Sequence, residues 1–217
     1  MPPKQIERVQ PARRRGRGRG VRQATPTLQS YIGTVTDETL ITGFTAFGRF
    51  AANPAEAVAR RVAVVLGARF EPIEVSYAAA EAFVDRLAAD PPARWVMLGV
   101  AGDSAVLRVE RLARNRVGPS PDVRGVVRGP GAISSGLPDV LAGMLLPPAG
   151  PLPAGCAHSD DAGDYLCNFL YWLALTRLPQ THSAFVHVAP IDRLPEDDQV
   201  RAVLGLLGSH QTDGEQR

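Results

Sequence analysis

Short β-prone runs alternate with longer amphipathic runs through most of this 217-residue chain, and no other feature constrains the fold as strongly. The runs predicted as strands are 39–42, 69–75, 95–100, 154–157 and 184–188, and those predicted as helices are 54–66, 78–89, 137–144, 168–178 and 197–207. Such alternation is typical of an α/β fold. We expect a single domain with an open, twisted, mostly parallel sheet and helices on both faces. The length and the 45% hydrophobic content suffice for one full core.

The charge is unevenly distributed along the chain. Residues 1–30 hold eight Lys or Arg and one Glu, whereas the remainder holds sixteen basic and twenty-one acidic residues. We therefore predict a disordered Arg/Gly-rich basic tail at 1–38, an α/β domain at 39–207 and a disordered C-terminus at 208–217. If the tail has a function, residues 1–30 bind nucleic acid, because their basic side chains release counterions from the phosphates. The simpler interpretation is an inert solvated extension, or a start codon placed too far upstream.

The two cysteines, Cys156 and Cys167, need no disulfide framework in a domain of this size, and this usage fits a reducing cytoplasm. We expect a cytoplasmic protein, because no apolar run approaches membrane-spanning length and no secretory signal is recognisable. Cys156 and His158 lie near Asp160 in the sequence, but their separations match no familiar zinc spacing. We predict neither a metal nor a cofactor.

Cys167 stands at the junction of a polar, Gly-containing turn and the predicted helix 168–178. At a helix N-terminus, free backbone N–H groups and the positive end of the helix dipole favour the nucleophilic thiolate. The alternative is a small hydrophobic residue in a core helix, which is the commoner role of a lone Cys. Two other residues favour catalysis. His187 ends a strand-like run before Pro190, and Glu110 follows the predicted strand 95–100, so the chain holds a thiol, a base and a carboxylate to orient that base.

Four motifs, in order, resemble those of pyroglutamyl peptidase I, the pyrrolidone-carboxylate peptidase family of cysteine peptidases (family C15). They are TGFTAFG at 42–48 with Asn53-Pro54 behind it, GVAG at 99–102 leading to Glu110-Arg111, SDDAGDYLCN at 159–168, and FVHV at 185–188. The resemblance covers roughly residues 39–207. It implies a catalytic triad of Glu110, Cys167 and His187, and a lactam pocket that contains Phe44 and Phe47. We group Asn53 with these two as substrate-binding; for both Phe residues the alternative is ordinary core packing.

The implied reaction is release of an N-terminal pyroglutamyl residue from a peptide, and the implied partners are such peptides and, in a homo-oligomer, further copies of the chain. Two departures stand out. Ala46 and Arg49 replace a Pro and a Gly of the family's first motif. In the loop after Glu110, Pro119 or Ser120 stands where the family carries an Arg, for which Arg116 or Arg124 would have to substitute. The segment 117–132 is rich in Pro and Gly, which favours a lid. The alternative function is a non-catalytic homologue that binds peptide ends or, through the basic tail, nucleic acid.

Overall fold

A computed structural model of the chain describes residues 39–48, 52–143, 146 and 151–208. The strands are β1 (Thr39–Phe44), β2 (Arg69–Ile73), β3 (Arg94–Val100), β4 (Leu107–Glu110), β5 (Leu112–Arg114), β6 (Val140–Ala142), β7 (Cys156–Ser159) and β8 (His182–Val188). The helices are α1 (Pro54–Leu66), α2 (Tyr77–Leu87), α3 (Leu166–Arg177) and α4 (Glu196–Leu206). The predicted tail at 1–38, residues 209–217 of the predicted C-terminus and Arg49 lie outside the described residues.

Six strands form one sheet in the order β2-β1-β3-β8-β4-β7. All neighbouring pairs are parallel except β4 and β8, which are antiparallel. The remaining strands, β5 and β6, form a separate antiparallel pair beside this sheet. The prediction of an open, mostly parallel α/β sheet is confirmed.

Each face of the sheet is covered by two helices, because the side chains of a strand point alternately to opposite faces. In β8, Phe185 and His187 face α2 and α3, whereas Ala184 and Val186 face α1 and α4. The face with α2 and α3 carries most of the aromatic core, including the fully buried Trp95, Tyr171 and Trp172. The prediction of helices on both faces is also confirmed, and Phe185 and His187 lie on the aromatic face.

The predicted helix at 137–144 is wrong, since its described part contains strand β6. Side-chain exposure in β6 alternates, with only Leu141 turned inward between exposed Val140 and Ala142, which is the period of a strand. The backbone finds its hydrogen-bond partners in β5 rather than in a helical turn. The flanking bonds run from Gly143 N to Arg111 O (3.0 Å) and from Asn115 N to Asp139 O (2.8 Å).

The other predicted elements are present with ends that differ by at most two residues, and α1 matches its predicted bounds. Local signals explain that match. The side-chain oxygen of Asn53 accepts from Ala55 N at the start of α1, Pro54 occupies the first turn, and Gly67 ends the helix at a φ of 64°. Strands β4 and β5 were not predicted, although β4 carries Glu110.

Candidate active site

The sheet register brings two of the three predicted catalytic residues together. His187 is the penultimate residue of β8, at its carboxyl end, where open α/β sheets place their ligands. In the antiparallel neighbour β4, Glu110 lies opposite Phe185. Phe185 and His187 share a face, so Glu110 is the diagonal neighbour of His187, a separation that long side chains can span. The antiparallel direction of β4 thus decides where the carboxylate lies.

The carboxylate and the imidazole meet in a buried contact. Glu110 Oε1 lies 2.8 Å from His187 Nδ1, with Glu110 fully buried and His187 7% exposed. This contact leaves Nε2 as the ring nitrogen available to a nucleophile. A buried carboxylate in this position holds the imidazole in one orientation and stabilises its protonated form.

The third residue, Cys167, comes from the other layer of the fold. It is the second residue of α3, whose N-cap Tyr165 makes no side-chain hydrogen bond to the helix. The first N–H groups of this helix are therefore not taken by a cap side chain, and they and the helix dipole act on Cys167. The prediction that the sulfur lies at a helix N-terminus is confirmed.

A glycine makes room for the sulfur over the sheet. Gly99 of β3 lies opposite His187 in the register. A Cβ on Gly99 would lie 2.7 Å from Cys167 Sγ and 2.9 Å from Phe185 Cζ, so any side chain there would push into the site. The missing side chain allows the N-terminus of α3 to bring its sulfur down beside the imidazole.

The electrostatics of His187 reflect both partners. Burial by itself lowers the pKa of the imidazole. The charge of Cys167 and its hydrogen bond to His187, followed by the hydrogen bond and charge of Glu110, outweigh burial and raise the pKa to about 9. The contacts with Cys167 and Glu110 thus favour the protonated imidazole over the neutral one.

The second cysteine lies in a different environment. Cys156 is the first residue of β7 and packs against the core on the opposite face, with α1 and α4. Burial raises the pKa of its thiol to about 11, so it stays protonated and unreactive at neutral pH. Both cysteines are free. Cys156 thus lies within the strand predicted at 154–157, which the structure shows as β7.

The three predicted substrate-binding residues lie near the amino-terminal end of α1 and the carboxyl end of β1. Phe44 is almost fully buried at the end of β1, and the half-buried Phe47 packs against the same apolar cluster, which Cys167 also contacts. Asn53 is also buried, and both ends of its amide are used within the protein. Its Oδ1 caps α1, and its Nδ2 donates to Thr45 O (2.9 Å).

The chain resembles known proteins over more than two thirds of its length. A family model described as pyroglutamyl peptidase matches residues 37–203. The chain is 33% identical over 166 residues to the pyrrolidone-carboxylate peptidase of Levilactobacillus brevis, covering 69% of this chain and 80% of that protein. The chain belongs to the pyroglutamyl peptidase family. Its members are cysteine peptidases that remove an N-terminal pyroglutamyl residue.

Solved structures of the family share the fold. The crystal structure of pyrrolidone carboxyl peptidase from Thermus thermophilus aligns with a TM-score of 0.68 at 32% identity, covering 79% of this chain and 100% of that one. Pyroglutamyl peptidase I from Bacillus amyloliquefaciens aligns with a TM-score of 0.67 at 23% identity, covering 79% of this chain and 92% of that one. The Bacillus structure supports the fold alone at this identity.

The loop after Glu110, where the chain departs from other pyroglutamyl peptidases, is fastened to α2 and α3. Asp122 Oδ2 accepts from Tyr77 N (3.0 Å), and Tyr165 donates through its hydroxyl to Pro121 O (2.9 Å). Only an isolated bridge between Val117 and Gly131 interrupts the predicted irregular segment 117–132. A lid here stays a prediction, because these contacts describe the loop in one position.

Neither candidate for the missing loop Arg points into the catalytic cluster. Arg116 pairs with Asp161 (2.6 Å), and Arg124 binds both carboxylate oxygens of Glu74 (2.6 and 2.9 Å). All four side chains are more than a third exposed. Both guanidinium groups are therefore engaged with surface carboxylates rather than with Cys167.

Three residues of the site neighbourhood were not singled out from the sequence: Gly99, Asn168 and Tyr171. Gly99 and Asn168 stood inside the recognised motifs, and the position of Asn168 directly after Cys167 was a usable signal. In the described part of the chain, no group of three or more His, Cys, Asp or Glu side chains could hold a metal ion. No helix there is long and apolar enough to cross a membrane.

Proposed function

We propose that this pyroglutamyl peptidase acts through Cys167 as nucleophile, His187 as general acid and base, and Glu110 as the group that orients and charges the imidazole. The observation that carries the assignment is the buried contact of Glu110 with His187, which in turn interacts with Cys167 at the start of α3. Three elements distant in sequence converge there, with the sulfur at a helix N-terminus.

The reaction follows from these positions. The sulfur of Cys167 attacks the carbonyl carbon that joins pyroglutamate to the next residue, and a tetrahedral intermediate forms. His187 gives its proton to the leaving amine, the C–N bond breaks, and a thioester remains on the enzyme. The imidazole then takes a proton from water as the water attacks the thioester. The C–S bond breaks, pyroglutamate leaves, and the Cys167 thiolate and the protonated His187 are restored.

The first N–H groups of α3 are the natural donors to the oxyanion of the tetrahedral intermediate. The N-cap residue Tyr165 makes no side-chain hydrogen bond to them, so they are available to a ligand. Loss of one such donor typically costs about 3 kcal/mol of transition-state stabilisation. These backbone groups, together with the helix dipole, supply positive potential in a site whose loop lacks the family's Arg.

We assign the lactam ring to the apolar surface that Phe44 and Phe47 contribute. Phe44 is 3% exposed and so acts as a wall, whereas the half-buried Phe47 offers more of its ring. A flat, uncharged five-membered ring fits an apolar slot with few polar contacts. Phe47→Ala is therefore expected to raise KM more than it lowers kcat, whereas Asn53 contributes by fixing the start of α1.

Hydrolysis of a fluorogenic pyroglutamyl amide tests the assignment. We expect activity in the parent protein, its loss in Cys167→Ser and its retention in Cys156→Ser, which provides the matched thiol control. Loss in a triad variant should reach about 10⁴-fold or more. Equal activity in Cys167→Ser and the parent would overturn the proposal, and inactivity of a folded parent protein would favour a non-catalytic homologue that binds peptide ends.

Two further proposals concern partners. We infer homo-oligomers from the family resemblance, and light scattering on the full chain measures their mass. Nucleic-acid binding through residues 1–30 rests on the eight basic residues of that segment. Such binding should weaken steeply with salt and disappear when the segment is removed, whereas absence of binding at low salt would refute it.

A further inference from the structure

Helix α3 does more than carry the nucleophile, because one of its side chains reaches the strand that carries Glu110. The Tyr171 side chain is fully buried, and its hydroxyl donates to the backbone oxygen of Glu110 (3.1 Å). Its ring lies 5.7 Å from that of Phe185, which lies 5.0 Å from the ring of His187. Tyr171 thus contacts the backbone of one triad residue and the packing neighbour of another.

The surroundings of the hydroxyl suit this bond. A Cβ on Gly143 would overlap the Tyr171 hydroxyl oxygen, so the chain leaves that position free of a side chain. Gly143 is itself held by a hydrogen bond from its N to Arg111 O (3.0 Å). Burial and then the charge of Glu110 raise the pKa of Tyr171, which keeps the hydroxyl protonated as a donor.

Asn168 makes a second connection one turn earlier in α3. Its side chain is fully buried; Oδ1 accepts from Arg114 N (2.8 Å), and Nδ2 donates to Arg114 O (2.8 Å) and Arg116 O (2.9 Å). The amide therefore satisfies three main-chain groups of the segment that follows Glu110. A hydrophobic side chain, or a carboxylate that only accepts, could not satisfy all three.

Residues three apart lie on the same face of a helix, so Asn168 and Tyr171 present one face of α3 to the segment 110–116. We propose that these two residues, which we call the α3 clamp, are positioning residues for the reaction because they fix Glu110 relative to Cys167. Cys167 immediately precedes Asn168. A shift of α3 against the segment 110–116 would therefore separate the nucleophile from the carboxylate that orients its base.

The proposal rests on the proposed function and predicts a kinetic effect without a change in the reacting groups. Misplacement of a catalytic group by about 1 Å can cost on the order of 10²-fold in rate. Tyr171→Phe removes one hydrogen bond and keeps the ring, so we expect kcat to fall about tenfold with KM nearly unchanged. Asn168→Ala removes three bonds, and we expect a larger loss.

The experiment measures hydrolysis of a pyroglutamyl amide by Tyr171→Phe and Asn168→Ala, each alone and combined with Glu110→Gln. The matched control is Thr181→Val, which removes the bond from the buried Thr181 hydroxyl to Pro92 O (2.8 Å) before β8, away from the site. Thermal unfolding of every variant reports stability separately. If the clamp acts by placing the charge of Glu110, its loss costs little in the Glu110→Gln background, where that charge is absent.

The outcomes are distinct. Strong non-additivity with Glu110→Gln, together with normal activity in Thr181→Val, supports the clamp. Equal loss from Tyr171→Phe in both backgrounds, or no loss in either, overturns it, and this isosteric variant gives that answer even if Asn168→Ala does not fold. If Glu110→Gln itself leaves kcat/KM unchanged, it is the proposed function that fails.

Discussion

The substitution Glu110→Gln tests the electrostatics of the site at nearly constant volume. It removes the negative charge that lies 2.8 Å from His187 Nδ1 in a fully buried position. The rise in the pKa of His187 from 6.5 to about 9 corresponds to roughly 3 kcal/mol of preference for the protonated form. Burial opposes this preference, and the contributions of Cys167 together with the smaller ones of Glu110 outweigh it.

The type of contact sets how much Glu110 contributes to the raised pKa of His187. A hydrogen bond to a charged group contributes about 1.5–3 kcal/mol, which equals roughly one to two pH units. We therefore expect the pKa of His187 to fall from about 9 to between roughly 7 and 8. In the parent protein the imidazolium is present below about pH 9 and is lost above it, so a lower pKa moves this loss to lower pH.

The assay is the pH dependence of kcat/KM and of Cys167 alkylation between pH 5 and 10, with Cys156→Ser as the background so that one thiol is observed. The alkaline limit should move to lower pH in Glu110→Gln, and the loss in kcat/KM should reach roughly tenfold at pH 9 beyond any loss at pH 6. An unchanged alkaline limit, with a uniform loss at every pH, would refute the electrostatic role and leave only orientation.

Three further predictions concern single residues. Gly99→Ala places a methyl group 2.7 Å from Cys167 Sγ and should abolish most activity while destabilising the fold by about 1–3 kcal/mol, as enzyme assay and urea unfolding will show. Burial raises the pKa of Asp122, but three backbone N–H donors outweigh it and hold the pKa below its usual value. Asp122→Asn should therefore destabilise the fold by about 1–3 kcal/mol at pH 7 and by less near pH 3, because the stability that the carboxylate contributes is lost as it protonates. Equal losses at both pH values in chemical unfolding would contradict this. Asn53→Ala removes the α1 cap and should cost about 1 kcal/mol in the same measurement, with KM changed little; a large rise in KM at unchanged stability would instead make Asn53 a substrate contact.

Much of the fold could be predicted from the sequence because local signals agreed with the tertiary structure. Helix α1 has its cap residue Asn53, its Pro54 and its terminal Gly67 in sequence order, so both ends were fixed locally. Strands β3 and β8 are apolar runs in the centre of the sheet, buried on both faces, as parallel strands usually are. The prediction for strand β6 was wrong because its three residues carry no local signal and the strand depends on pairing with β5.

Some residues of the candidate site also had local sequence signals, and others did not. Cys167 and His187 carried local signals, a polar turn before a helix and a β-prone run before a proline. Glu110 was named as a carboxylate that follows a predicted strand and was placed in a triad through the family resemblance, but its own strand β4 was not predicted. Asn168 and Tyr171 were missed as positioning residues because their partners are backbone atoms some 50–60 positions away in the chain, which no local pattern reveals.

The sequence by itself determined the class of fold, the ends of α1, the family and the three residue types of the triad, because propensity, periodicity and motif order are local properties. Only the tertiary structure decided that β4 runs antiparallel to β8, that Gly99 opens the space under the sulfur, and that Arg116 and Arg124 are engaged by surface carboxylates. Each of these depends on which distant segments become neighbours. Strand register and helix placement set that proximity, and both are properties of the folded chain.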